Sequence, residues 1–245
     1  MYFKTRILQD YYMSCLLAIE TATTVCSVAL SYNNDILFNK ESFEGPSHAA
    51  LLGVYVEEAL NVVASEGLKP DAVAVSSGPG SYTGLRIGVS VAKGLCFGYG
   101  IPLISVPTLE ILASKVIAEK KMPSQTLYCS MLDARRMEVY AAIYDENLHP
   151  VRDTMAEIVT ADTYVAFLKE NRVCFFGNGA AKCKEVIVSE QAIFLDDIHP
   201  LAIDMIPLSR NYFDKKQFED VAYFEPNYLK DFIATIPKNK VLGNL

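Results

Sequence analysis

The run Ser77-Gly78-Pro79-Gly80-Ser81-Tyr82-Thr83-Gly84-Leu85-Arg86-Ile87-Gly88 sets two glycines and a proline directly before a segment of helical length. Its potential chemistry is anion binding. Glycines leave backbone N–H groups uncovered, and a helix N-terminus presents free donors, so the loop is a candidate phosphate cradle. On spacing alone, tight strand-to-helix packing is the stronger reading, because neither a P-loop lysine nor the dinucleotide fingerprint is present. Gly84, Gly88 and Ala92 recur at i, i+4, i+8 and form a smooth stripe that another backbone could approach.

Other chemistry-bearing residues are dispersed. His48 stands at a predicted helix start, where a packing or hydrogen-bonding role is commoner than catalysis. Asp133, Arg135, Arg136 and Glu138 alternate in charge beside a predicted turn, a pattern usual for a solvated hairpin or an ion-pair network. Ser77, Ser81 and Ser90 have no base nearby in sequence, and no Gly-x-Ser-x-Gly elbow occurs. The three histidines, 48, 149 and 199, are far apart in the chain. Catalytic residues are therefore not assigned.

The elements needed to position these residues follow from pattern. Residues 15–20, 26–32 and 36–44 read as a three-strand meander with a turn at Asn33-Asn34-Asp35. A helix follows over 47–64 with Ser47 as N-cap, and its apolar positions extend around most of the cylinder, as expected of a helix that buries two faces. The apolar run 71–76 reads as a buried strand, the glycine-rich 82–99 as a helix capped by Ser81, and 102–106 as another strand. A helix from Thr108 to Lys120 then connects to strands at 126–132, 137–144 and 172–177. Helices are expected from about Ala180, at 162–170, at 208–220 and at 227–233.

With 245 residues, of which 51% are hydrophobic, the chain can bury one large core or two modest ones, and two lobes are expected. A net charge of −7 argues against a surface that itself holds RNA. Six cysteines without a Cys-x-x-Cys pair fit reduced, buried thiols in the cytoplasm better than disulfides or zinc. No segment reads as a membrane span, and residues 1–14 lack the marks of a secretion signal.

The glycine loop, with Leu17-Ala18-Ile19-Glu20-Thr21-Ala22, Ser47-His48-Ala49-Ala50-Leu51-Leu52, Asp133-Ala134-Arg135-Arg136-Met137-Glu138-Val139-Tyr140 and Pro226-Asn227-Tyr228-Leu229, resembles the TsaB (YeaZ) family of bacterial tRNA-modification proteins. The similarity runs from about Met13 to about Lys230. It implies an α/β, two-lobed actin-like ATPase (ASKHA, ribonuclease H-like) fold, each lobe a mixed sheet flanked by helices. The implied division is an N-terminal extension 1–14, a first lobe 15–107, a second lobe 108–226, and a C-terminal helix and tail 227–245.

By the same resemblance the chain is a non-catalytic scaffold in the synthesis of N6-threonylcarbamoyladenosine at A37 of tRNAs reading ANN codons. It would bind and position TsaD, meet the ATPase TsaE through TsaD, reach tRNA only indirectly, and pair with itself when TsaD is absent. The implied contacts on the helices 47–64 and 82–99 are Leu51, Leu52, Tyr55, Tyr82, Leu85, Arg86 and Val89. The superfamily's Asp-x-Gly-Thr phosphate loop corresponds to Glu20-Thr21-Ala22-Thr23, with alanine replacing glycine. A weak nucleotide site would use Glu20, Gly78, Gly80, Gly177 and Gly179, and no cofactor is firmly expected. Thr108 and Leu112 stand where the paralogue TsaD carries its metal-binding histidine pair, so no metal is expected. The alternatives are a nucleotide-dependent phosphotransferase or a metalloprotease-like enzyme on the same fold.

Overall fold

In the computed structural model, residues 14–229 are described except 34, 46 and 121. Most of the expected extension 1–14, and residues 230–245 of the expected tail, lie outside the described residues. The first sheet comprises β1 (Cys15–Glu20), β2 (Cys26–Tyr32), β3 (Asp35–Ser42), β4 (Ala72–Ser76) and β5 (Leu103–Val106), in the order β3-β2-β1-β4-β5. The meander pairs antiparallel, and β4 and β5 add in parallel through α1 (His48–Ser65) and α2 (Tyr82–Tyr99). The second sheet repeats this plan with β6 (Thr126–Asp133), β7 (Glu138–Tyr144), β8 (Pro150–Ile158), β9 (Arg172–Phe176) and β10 (Ala192–Phe194), ordered β10-β9-β6-β7-β8.

Strand alternation divides the first core. Leu17, Ile19, Val28, Leu30, Val73 and Val75 meet α1 and α2, while Leu16, Ala18, Ala29, Ala74 and Ile104 face the opposite side. That side is covered by α5 (Ala202–Asp214), whose Ala202, Met205, Ile206 and Leu208 lie against the strands' small residues. Alanines at 18, 29 and 74 let this helix come close to the sheet. Its N-terminal N–H groups need a partner, and Ser27 Oγ of β2 accepts from Ala202 N at 2.9 Å. Next to α5 runs α3 (Thr108–Glu119), which sends Ile111 into the first core and Leu109, Leu112, Ala113 and Val116 into the second. Lys115 of α3 and Asp204 of α5 form a largely buried ion pair at 2.8 Å. Both helices therefore lie between the sheets, and α4 (Val165–Glu170) packs on the far side of the second.

Several expectations change here. The helix expected at 208–220 is α5, which begins at Ala202 and packs on the first sheet. Only a 3-10 turn, Ala181–Cys183, stands where a helix was expected from Ala180. Edge strands β8 and β10 were not expected: β8 mixes charge with exposed Val151, Met155 and Ile158, and β10 has three residues. Residues 227–229 are not helical; the segment from Glu219 onward forms an irregular strap across the first lobe.

Candidate functional site

The glycine loop sits between β4 and α2, at the carboxyl end of the parallel strands, where open α/β sheets usually bind ligands. Ser81 caps α2 by accepting from Gly84 N at 3.2 Å. Around the cap, the loop packs closely on its neighbours. Ser81 N donates to Ala22 O at 2.6 Å, and a Cβ on Gly80 would strike that same carbonyl. Gly78 is covered by the strap, where Asn227 O would lie 2.9 Å from an added Cβ. Thr108 N donates to Gly78 O at 2.9 Å, and Asn227 N to Ser77 O at 2.7 Å.

Glu20, at the end of β1, is fully buried, and its Oε1 accepts from Ala22 N at 2.5 Å. Burial pushes its carboxyl up to about 8, partly offset by the Ala22 N–H and by Ser76. The Ser76 hydroxyl is close enough for that effect but outside hydrogen-bond geometry, so Glu20 Oε2 and Ser76 Oγ have no bonding partner.

Across the lobes, a Cβ on Gly177 would meet Met131 O and lie 3.3 Å from Leu112 Cδ1, and Gly179 lies on the Leu132 backbone. The glycines proposed for a nucleotide thus serve backbone-to-backbone contact, and Leu112 fills space with hydrocarbon. Neither of two shallow cavities, of 310 and 230 Å³, is lined by Glu20 or by these glycines. Among the described residues, no three His, Cys, Asp or Glu side chains converge as a metal site. His48 is buried, with Nε2 2.8 Å from Thr23 O. All six thiols are free and buried, and burial pushes those of Cys15, Cys26 and Cys96 up to about 11, so none is poised as a nucleophile.

Alternating charges at the β6–β7 hairpin form a local network: Lys182 Nζ bonds Asp133, and donates to Glu138 O at 2.7 Å. Sequence reasoning missed a second network, in which Arg152 grips Glu157 through both oxygens and Tyr164 donates to Glu157 at 2.5 Å. Its members come from β8 and the turn before α4, so only their shared position off the second sheet reveals it.

The helices α1 and α2 lie side by side on the first sheet. Four of the seven expected contacts point inward: Leu52 and Leu85 are 1% exposed, Val89 4% and Tyr55 7%. They belong to the chain's own core, because that stripe is the one the sheet takes. Leu51 and Tyr82 are half-buried, and Arg86 is exposed. The outward stripe of α1 is Ala50, Gly53, Val54, Glu57 and Asn61; that of α2 is Thr83, Arg86, Ser90, Gly94 and Phe97, the last 86% exposed. The glycines divide in the same way. A Cβ on Gly84 would strike Thr21 O and one on Gly88 would strike Thr21 Oγ1, but nothing lies within 4 Å of a Cβ at Gly53, Gly94 or Gly98.

The strap completes this face. Val221 and Phe224 pack on the first core, and Lys93 Nζ of α2 donates to Ala222 O and Phe224 O at 3.1 and 3.0 Å. Tyr228 packs beside Tyr82, the rings tilted by 42° with centroids 4.9 Å apart. Arg86 lies 4.6 Å over the Tyr82 ring and donates from Nε to Tyr228 Oη at 3.3 Å.

Two solved Pseudomonas aeruginosa structures share the architecture. One, YeaZ, superposes with a TM-score of 0.72 at 26% identity, and one described as similar to peptidase YeaZ superposes with 0.73 at 25%; each match covers 89% of this chain and all of the other. The family model described as TsaD, tRNA N6-adenosine threonylcarbamoyltransferase, matches residues 44–238. The Escherichia coli tRNA threonylcarbamoyladenosine biosynthesis protein TsaB is 31% identical over 227 residues, covering 89% of this chain and 96% of the relative. The chain belongs to the TsaB family. A Bacillus subtilis TsaB is 28% identical over 70% of the chain. With membership in the TsaB family comes the actin-like fold, which the paired sheets display. No described helix is long and apolar enough to cross a membrane.

Proposed function

We propose that this chain is the non-catalytic pairing subunit of the threonylcarbamoyladenosine system, holding a TsaD-type protein for transfer of the threonylcarbamoyl group to A37 of ANN-decoding tRNA. The observation that carries this reading is the outward face of α1 and α2. Helix-interior glycine costs about 0.5–1 kcal/mol relative to alanine. Gly84 and Gly88 have an internal reason for that cost, whereas Gly53 and Gly94 face open space beside exposed Val54 and Phe97. Small residues flanked by large apolar ones suit close approach by another helix. Close packing of the loop's glycines against Ala22 and Asn227 supports a subunit that contributes no chemistry of its own. TsaD supplies the contact to TsaE and to tRNA, since a surface of net charge −7 repels a polyanion. The same face serves a homodimer when TsaD is absent. The buried thiols fit the reducing cytoplasm as the place of work.

Light scattering of this protein mixed with TsaD from the same organism tests the assignment. A one-to-one complex is expected, and Phe97→Glu, which leaves the core untouched, should weaken it at least about tenfold. If no complex forms with nucleotide and TsaE supplied, the proposed role is wrong.

A further inference from the structure

Arg86 occupies an unusual place on this face. Its guanidinium is exposed, yet it is held from two sides by Tyr82 of its own helix and by Tyr228 of the strap, which is 142 residues away in sequence. Among the described residues it forms no ion pair, and both Nη groups lack a hydrogen-bond partner. Glu225 contributes a favourable field from the strap without reaching ion-pair distance. A free arginine would sample many rotamers, whereas this one is restrained by the Tyr82 ring beneath its guanidinium and by the bond from Nε to Tyr228, with both Nη groups left over.

Resting on the pairing role above, we infer that Arg86 is a docking clamp for a carboxylate side chain of the TsaD-type partner, and that the C-terminal strap is its positioning element. A planar guanidinium with both Nη groups available matches a carboxylate in bidentate geometry. Arginine and tyrosine at the rim of a small-residue helix face are the residue types that carry binding energy at protein interfaces. Phosphate would offer the same fork chemistry, but the acidic surface disfavours a nucleic acid as its source. The strap is anchored independently of Arg86, by Lys93, by Asn227 N on Ser77 O and by apolar packing of Val221 and Phe224, so Tyr228 is a fixed support.

Titration calorimetry of the full chain against TsaD, at two salt concentrations, tests the clamp. Wild-type binding is the reference, and its absence overturns the pairing role together with this inference. Given binding, Arg86→Gln should lower affinity about tenfold or more and reduce the salt dependence, and Arg86→Lys should not restore it. Tyr228→Phe, which retains the ring contact with Tyr82, should cost about three- to tenfold in wild type and nothing further in the Arg86→Gln background. Circular-dichroism melts unchanged by these substitutions separate docking from folding. Affinity of Arg86→Gln within twofold of wild type overturns the clamp and leaves the pairing role intact. Additive effects of Arg86→Gln and Tyr228→Phe overturn the strap's part. Loss of tRNA binding by Arg86→Gln with TsaD affinity unchanged would assign the fork to phosphate instead, overturning the carboxylate.

Discussion

Glu20, at the end of β1, is a single carboxyl enclosed so fully that it sets a pH dependence for the fold. The sequence reads it as a residual phosphate-loop carboxylate, but no pattern in the chain announces that it is sealed beneath Ala22 with its second oxygen unpartnered. Its pKa is raised from 4.5 to about 8. The folded state therefore binds more protons than the unfolded chain between those values, and stability falls as pH rises through the window. The slope is about 1.4 kcal/mol per pH unit for this one group, with full stability present below 4.5. Glu20→Gln should abolish that contribution. Urea denaturation at pH 5 and pH 9 is expected to show the variant close to wild type at pH 5 and more stable at pH 9. An unchanged pH dependence would mean that Glu20 is charged in the folded protein.

At the scale of elements, α2 was placed at 82–99 from its glycine loop and Ser81 cap, and it spans Tyr82–Tyr99. Its length and start were legible because capping and glycine chemistry are local. The side each helix presents to the sheet was not: α1 is apolar around most of its circumference and α2 carries glycines on both sides, so pattern left Leu52, Leu85 and Val89 indistinguishable from outward residues. The glycines now supply the distinction and a test. Gly84→Ala would drive a Cβ into Thr21 O and break the 2.8 Å bond from Thr21 Oγ1 to Gly84 O, costing about 2–3 kcal/mol. Gly94→Ala meets open space and should stabilise the isolated chain by about 0.5–1 kcal/mol while weakening TsaD binding. Urea midpoints and binding isotherms for the pair check both statements. Stabilisation by both substitutions would show that Thr21 yields, and Gly94→Ala with undiminished affinity would show that no backbone docks there.

For the whole molecule, two lobes were legible from the chain's length and hydrophobic content and from its family resemblance, but the second meander was not, because β8 mixes charged with apolar residues. The sequence did not convey the return of α5 to the first sheet, since that pairing depends on Ala18, Ala29 and Ala74 accepting a helix from more than a hundred residues away. The contacts are long-range, and local pattern carries no record of them. A fragment spanning residues 14–107 should therefore lack ordered packing: near-UV circular dichroism and dye binding are expected to report exposed apolar surface, relieved when the α5 sequence is fused to it. A fragment with native-like near-UV signal would contradict the dependence. The order of synthesis adds a consequence. Val106 leaves the ribosome about 108 residues before Asp214, roughly 5–20 s earlier at ordinary elongation rates. Throughout that interval one side of the nascent first sheet is bare, making the half-made chain a natural client for chaperones that shelter emerging polypeptides.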